Sequence, residues 1–596
     1  MKQGRLNAVR EGRLLLSGNE AIARGAWEHG VTFAAAYPGT PSTEILEAIG
    51  EHYPEITAQW ATNEKVALET VAGASYGGAR TLSAMKHVGL NVAADPLFTL
   101  SYVGATGGIV VVSADDPGMH SSQNEQDNRL MARAAKVPIL EPSDSQDALD
   151  LVGWGLEISE RFDTPVMLRT TTRISHSLSV VQAGPRREFP PKGYTRDIRK
   201  RIPIPAFAKG MHARVEKRTL DLSAFGETFP LNLSIAGSRS LGVITSGVSY
   251  QHAREVLPDA SFLRLALTWP LPWDLIGRFL AEMKEVRVVE EGEPFLEEQI
   301  RAHFLAPVEG KKYISLEGEL EPGLARRALA PETVEPPVFA PAQVPQRPPT
   351  LCPGCPHRGA FWVLNRIKAG STSDIGCYTL GLMPPLEAVD TVLCMGAAIT
   401  VLSGLEKALG RDAVAGRIVA AIGDSTFIHS GITGLIDMVY NGCTGTVLIM
   451  DNGITAMTGG QQHPATGFSL RGEPARKLDL EAVCRACGVD RVTVVDPHDL
   501  KSLERILKEE MAVPEVSVVI TRRPCVMIRR PEHRAVAVLD PAKCVSCRRC
   551  MSLGCPALSF VDGRPVVNAM LCYPECRLCA DVCPKGALTK DAGGAR

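Results

Sequence analysis

With 596 residues, 45% of them hydrophobic and 22% charged, the chain is long enough for several hydrophobic cores, roughly three to five domains by size, and a single small module is excluded. Its 64 basic and 66 acidic side chains nearly cancel to a net charge of -2, so no global field favours nucleic acid or an anionic membrane. No run approaches the ~18 apolar residues of a membrane span, and the amino terminus MKQGRLNAVREGRLLLSGNE lacks a signal peptide's apolar block and cleavage site, which predicts a soluble cytoplasmic protein.

In residues 1–185, helical patterns such as NEAIARGAWEHGV alternate with short apolar runs such as FAAAYPG and GGIVVVSADDPG. That rhythm predicts an α/β domain around a parallel sheet. Residues 186–238 are irregular and basic, and without interleaved aromatics they read as a connecting segment rather than a nucleic-acid patch. A second α/β pattern occupies 239–330, with strands expected at LGVITSG, SFLRLAL and EVRVVEE. Seven prolines from Pro331 to Pro349 then mark 331–350 as an extended linker.

Residues 351–535 read as a third α/β unit. Its strand GRIVAAI runs into Gly423-Asp424-Ser425, and a second strand, GTVLIM, ends at Asp451-Asn452-Gly453. Loops at the carboxyl ends of neighbouring parallel strands are where open α/β sheets bind ligands. Asp424, the amide of Asn452 28 residues later and the carbonyl of Ile454 offer the hard oxygen ligands that Mg2+ takes when it bridges a diphosphate. With the continuation through Thr455, Met457, Thr458 and Gly459-Gly460, the segment looks like the thiamine diphosphate (TPP) motif; its bland alternative is an ordinary turn. Enzymes of that cofactor class hold the aminopyrimidine with a Glu from a second, homologous domain. Glu64, in Asn63-Glu64-Lys65 before a small-residue helix, is the candidate, against the alternative of a surface Glu favoured by the helix dipole.

The last stretch, 536–596, holds half of the 16 cysteines, whereas the first 351 residues hold none. Clustered thiols in a reducing compartment read as metal or cluster ligands. The spacing Cys544-x2-Cys547-x2-Cys550-x4-Cys555-Pro, then Cys572-x3-Cys576-x2-Cys579-x3-Cys583-Pro, gives two trios, each followed by a Cys-Pro whose sulfur serves the other cluster in two-cluster ferredoxins. One [4Fe-4S] is therefore assigned to Cys544, Cys547, Cys550 and Cys583, and the second to Cys572, Cys576, Cys579 and Cys555. A pair of zinc sites is the competing reading. A tail this small needs such a staple to fold. Cys394, Cys443, Cys484 and Cys487 are expected in the core.

Taken together the chain resembles the 2-oxoacid:ferredoxin oxidoreductases, in particular large (alpha) subunits of the indolepyruvate type. The resemblance runs through Tyr37-Pro38-Gly39-Thr40-Pro41-Ser42, Asn63-Glu64-Lys65, Met85-Lys86-His87-Val88-Gly89-Leu90-Asn91, the segment from His120 to Asp127, Cys352-Pro353-Gly354-Cys355-Pro356-His357-Arg358, Asp374-Ile375-Gly376-Cys377-Tyr378 and the tail. It implies α/β TPP-enzyme (transketolase-like) parallel-sheet domains, in the order pyrimidine-binding, transketolase-carboxyl-terminal-like and diphosphate-binding, then a two-cluster ferredoxin-like α+β domain. It also implies a third, proximal [4Fe-4S] on Cys352, Cys355, Cys377 and Cys525, with the alternative that these cysteines shape the diphosphate loop. Thr40 is expected at the substrate carboxylate, with His87, His120 and Gln123 near the reacting centre. The implied activity is oxidative decarboxylation of an aryl pyruvate to acyl-coenzyme A, with electrons passed to ferredoxin and with a small beta subunit, as a dimer of heterodimers. A non-redox 2-oxoacid decarboxylase or carboligase whose ferredoxin tail and clusters are structural, and a non-catalytic electron-transfer scaffold, are the rivals.

Overall fold

The computed structural model describes residues 11–334, 348–528 and 536–590. The heart of the Pro-rich linker and both ends of the chain therefore lie outside the described residues. The chain divides into two compact units, 1–341 and 342–596.

The first unit is built on a seven-stranded sheet. Its strands run in the order Leu267–Trp269, Ile139–Leu140, Val166–Thr171, Ile109–Asp115, Arg80–Lys86, Val31–Ala36, Thr57–Trp60. All but the first are parallel. The central strands Arg80–Lys86 and Ile109–Asp115 are buried along their whole length, as expected where helices cover both faces. Helix starts follow local chemistry: Ser17 opens Gly18–Glu28 with a capping box on Glu20, and Asp144 caps Ser145–Phe162. A second sheet orders Val286–Val289, Ser238–Thr245, Ala260–Arg264 and Leu233–Ile235, the last antiparallel. The two sheets share one core, in which Met85, Ile109 and Leu97 join Leu263, Ile276 and Phe279.

Two readings of the sequence are corrected here. The run SFLRLAL is not one strand. Its first half pairs in the second sheet, while Leu267–Trp269 crosses to the edge of the first and pairs with Ile139–Leu140. Asn232 Oδ1 takes the N–H groups of Ala266 and Leu267 at 2.9 and 3.0 Å, ending the first pairing where the chain changes sheets. Nor is 186–238 irregular throughout, because it contains the 22-residue helix Pro205–Gly226. Pro205 begins it and Met211, Val215 and Leu222 are buried, a stripe too sparse to stand out in a basic stretch.

The second unit carries a six-stranded, all-parallel sheet ordered Thr391–Val392, Gly370–Ser373, Ile418–Gly423, Gly445–Asp451, Val516–Arg522, Arg491–Val495. Its tail adds two antiparallel pairs, Ala537–Leu539 with Leu588–Lys590 and Leu558–Val561 with Arg564–Val567, around the short helix Leu578–Asp581. The tail has no core of its own: Leu553, Leu558, Leu578 and Leu588 share one with Leu351, Phe361 and Trp362. Cys443 and Cys484 are buried as expected, but Cys394 is exposed, in the stretch between Thr391–Val392 and helix Ala397–Leu409. No helix among the described residues is long and apolar enough to cross a membrane.

Candidate active site

In the second unit Gly423 and Met450 are register partners on neighbouring parallel strands, so Asp424 and Asn452 emerge side by side at the carboxyl edge of the sheet. Gly453, at φ +70°, turns the chain there, a conformation that a side chain would strain. Asp424 is buried; its Oδ1 accepts from Ser425 N and its Oδ2 from Gly453 N, both at 2.8 Å, with His463 Nε2 3.3 Å from Oδ2. Burial works to raise its carboxyl, but the imidazole and the two amides outweigh it and hold it below the ordinary range, so it stands ionised. Asn452 Nδ2 donates to His357 Nε2 at 3.2 Å, and Asn452 Oδ1 accepts from Ile454 N at 3.1 Å. The acceptor role of His357 fits its burial, which pushes the imidazole down to about 4 and leaves it neutral.

Thr455 Oγ1 donates to Ser425 Oγ at 2.9 Å, and Thr455 pairs with Gln461 to close the following loop. Thr458 donates to Gln461, whose Nε2 returns a bond to Thr458 O at 2.9 Å. Met457, in the same loop, is exposed. An ionised carboxylate beside an amide is the oxygen donor set that Mg2+ accepts, with diphosphate oxygens and backbone carbonyls filling the remaining positions. Among the described residues no three Cys, His, Asp or Glu side chains are gathered tightly enough to hold a single ion.

The same unit gathers its cysteines. Cys352, Cys377 and Cys525 interact electrostatically with one another, as do Cys355, Cys377 and Cys352. Burial and these neighbours push the thiols up, to about 12 for Cys355 and about 11 for Cys377. In the tail, Cys544, Cys547, Cys550 and Cys583 line one cavity, and Cys555, Cys572, Cys576 and Cys579 line another. Each quartet thus draws one sulfur from the other half of the tail, in the crossed pattern expected from the spacing.

In the first unit the expected residues lie at the carboxyl ends of four adjacent strands. Glu64 is buried, at the start of helix Glu64–Tyr76, which Asn63 caps through its Oδ1 on Val66 N at 2.9 Å. A Cβ on Gly89 would come within 2.5 Å of Glu64 Oε1, so the carboxyl group lies directly on the one residue there without a side chain. Thr40 is half-buried, and its carbonyl accepts from Ser121 Oγ at 3.4 Å. His87 is fully buried, its Nε2 3.2 Å from both the carbonyl and the side-chain oxygen of Asn124. His120 and Gln123 are exposed, and His120 pairs with Glu319, which Arg173 also holds. The structure thus places Thr40, Glu64 and His87 at neighbouring strand ends, and turns the exposed His120 toward the largely buried carboxylate of Glu319. Three buried contributors went unassigned in the sequence, Lys86, His357 and His463. Lys86 and His357 were visible as members of quoted motifs, but a motif does not tell which of its polar residues is buried.

A family model described as "Pyruvate flavodoxin/ferredoxin oxidoreductase, thiamine diP-bdg" matches residues 24–204, and one described as "Thiamine pyrophosphate enzyme, C-terminal TPP binding domain" matches 374–521. The class is that of thiamine diphosphate-dependent 2-oxoacid oxidoreductases with α/β TPP-enzyme domains. Indolepyruvate oxidoreductase subunit IorA of Archaeoglobus fulgidus is 40% identical over 97% of both chains, that of Methanothermobacter marburgensis 39% over 98% of both, and that of Pyrococcus horikoshii 38% over 97% of both. The chain belongs to the indolepyruvate oxidoreductase subunit IorA family. Among solved structures, a 2-oxoglutarate:ferredoxin oxidoreductase from Magnetococcus marinus is similar at 19% identity and a TM-score of 0.46, covering 54% of this chain and 65% of that one.

Proposed function

We propose that the chain is the catalytic large subunit of a cytoplasmic enzyme that oxidatively decarboxylates aryl pyruvates of the indolepyruvate type, yields acyl-coenzyme A and carbon dioxide, and passes electrons to ferredoxin. Its partner is a small beta subunit, in a dimer of heterodimers. The observation that carries the reading is the co-occurrence of the Asp424 and Asn452 pair at adjacent strand ends with eight tail cysteines arranged as two crossed quartets. In a non-redox decarboxylase the second feature would serve only as a structural staple.

When bound, thiamine diphosphate supplies a nucleophilic carbon and a sink for the electron pair left by departing carbon dioxide, and [4Fe-4S] clusters supply one-electron acceptors. The residues of the chain bind and orient. Asp424, Asn452 and the carbonyl of Ile454 hold Mg2+, and Gly423, Ser425, Thr455, Met457 and Thr458 form the diphosphate loop. Glu64 would hydrogen-bond the ring nitrogen of the aminopyrimidine and exchange a proton with it, favouring the tautomer that activates the cofactor. Thr40 and His87 face the substrate. The cysteines at 544, 547, 550 and 583 hold one cluster, those at 572, 576, 579 and 555 the second, and Cys352, Cys355, Cys377 and Cys525 a third close to the diphosphate loop.

The test is an anaerobic assay over a panel of 2-oxoacids, with and without coenzyme A and the small subunit, following reduction of ferredoxin or a viologen dye. Aryl pyruvates are expected to reduce the dye in a coenzyme A-dependent manner. Aldehyde release without dye reduction would place the chain among non-redox decarboxylases, and protein that binds no thiamine diphosphate would make it a scaffold.

A further inference from the structure

Strand Arg80–Lys86 ends on a lysine with only 9% of its surface exposed. A buried ammonium is costly unless it is paired and its donors are used. Lys86 Nζ donates to Ser121 O at 2.6 Å, and an ammonium has three donors. The acid it feels is Asp116, whose oxygens are engaged elsewhere. Its Oδ2 accepts from Ser121 N at 2.8 Å and from Ser122 Oγ at 2.5 Å, and its Oδ1 accepts from Thr172 Oγ1 at 2.7 Å. Among the described residues no carboxylate forms an ion pair with Lys86. His87, the other titratable neighbour, is held below the ordinary imidazole range by burial and then by Lys86 itself, and so adds no second positive charge beside it.

The position of the ammonium is equally specific. The Lys86 stem packs under the loop that carries Thr40, since a Cβ on Gly39 would lie 2.9 Å from Lys86 Cβ and 3.8 Å from its Cδ. Ser121 ties the two together, accepting from Lys86 through its carbonyl and donating through its hydroxyl to Thr40 O. Three residues beyond Lys86 is Gly89, on which the Glu64 carboxyl lies. A cation with no ion-pair partner among the described residues therefore stands at the same strand ends as Thr40 and Glu64, with Asp116 as its only partial counter-charge.

We propose that Lys86 is the counter-ion of the 2-oxoacid carboxylate, its free donors completing with Thr40 the site that holds the substrate's acid group. This rests on the reading that the chain acts on 2-oxoacids. It assigns the charge recognition to a buried residue, whereas His120 and Gln123 are exposed. A primary ammonium serves as a point charge and leaves the carboxylate able to depart as carbon dioxide, with no bond made or broken at Lys86.

The test uses the full chain with its small subunit and follows aryl pyruvate-dependent viologen reduction from pH 6.5 to 9.5 in wild type, Lys86→Met and Lys86→Arg. Losing a charge-assisted contact predicts a KM raised about 10- to 100-fold in K86M, with kcat within about threefold and thiamine diphosphate affinity, measured by calorimetry, unchanged. Burial lowers the Lys86 ammonium to about 8, countered in part by Asp116, so wild-type kcat/KM is expected to fall as pH rises through that value. In K86R, whose guanidinium stays charged, that fall is expected to vanish. A K86M KM equal to wild type, or loss of cofactor affinity along with activity, overturns the assignment. If K86M does not fold, the K86R profile decides, and a fall identical to wild type overturns it. A wild type with no 2-oxoacid turnover removes the parent reading and this one with it; normal turnover with an unmoved KM removes this one alone.

Discussion

Glu64 occupies its place because residue 89 has no side chain. Adding one carbon at Gly89 puts it 2.5 Å from Glu64 Oε1 and 2.7 Å from Cγ, closer than any stable contact, so Gly89→Ala must move the carboxyl group. Expected outcomes follow for both residues. Glu64→Gln should lower kcat by about 10²- to 10⁴-fold, the usual range for a lost proton-transfer group, while thiamine diphosphate still binds. Gly89→Ala should reproduce most of that loss without touching a reactive atom, and should leave the unfolding midpoint near wild type if the Glu64 side chain swings aside. Anaerobic turnover and cofactor titration check both; a G89A enzyme as active as wild type would mean that the carboxyl position does not matter. At this scale the sequence is legible where chemistry is local, as in the helix expected at Glu64 and the Asp424 to Asn452 spacing. It is mute where burial decides. Lys86 and His120 both stand in polar motifs, yet one is enclosed by the Thr40 loop and the other is exposed and paired with Glu319.

At the scale of elements, strand Val286–Val289 delivers Glu290 and Glu291 into the seam between the two sheets of the first unit. Glu290 pairs with Arg129 at 2.8 Å and caps the helix beginning at Phe295 through Leu296 N and Glu297 N. Glu291 forms no ion pair among the described residues, although Arg169 and Arg129 act on it from further away: its Oε1 accepts from Leu320 N at 2.8 Å, and its buried Oε2 has no hydrogen-bond partner. Burial pushes its carboxyl up to about 7. The sign follows from linkage. A carboxyl whose folded value lies above its unfolded value of about 4.5 binds more protons when folded, so stability is full at low pH and declines as pH rises from about 4.5 to about 7. At 1.36 kcal/mol per unit the decline has an upper bound of about 3 kcal/mol. Glu291→Gln keeps the acceptor for Leu320 and loses the charge, so it should be more stable than wild type by up to about 3 kcal/mol at pH 8 and by about 1 kcal/mol or less at pH 5. Denaturant titration at the two values is the check, and equal curves at pH 8 would refute the account. The seam itself was not legible from the sequence. SFLRLAL carries one continuous apolar signal, and the capture of Ala266 and Leu267 by Asn232 that divides it between two sheets is a contact between segments about 34 residues apart.

At the scale of the whole chain, the alternation of α/β patterns, the diphosphate loop and the cysteine tail were readable because each depends on spacing within one segment. The docking of the tail was not, because it depends on which surface 351–367 offers it. There Arg358, 1% exposed, donates to Leu553 O at 2.6 Å and to the carbonyls of Leu351 and Cys352, and Trp362 Nε1 donates to Ser552 Oγ at 2.9 Å. The guanidinium thus joins the tail backbone to the segment between Leu351 and Cys355. Arg358→Met keeps the packed stem but leaves the two buried carbonyls of Leu553 and Leu351 without their donor, at roughly 1–3 kcal/mol for each unsatisfied group, while the part-buried carbonyl of Cys352 can turn to water. The tail cysteines do not involve Arg358 as a ligand, so iron bound by the two quartets should stay near wild-type content. On the proposed function, what should change is attachment: reduction of the tail by an aryl pyruvate should slow at least about tenfold, because the proposed electron path runs through the docked tail, while reduction by dithionite, which needs no docking, should be unaffected. Rapid-mixing spectroscopy of the iron-sulfur absorbance with each reductant separates the two. Equal slowing with both would locate the damage in the clusters themselves, and no slowing with either would show that the Arg358 contacts are not what holds the tail in place.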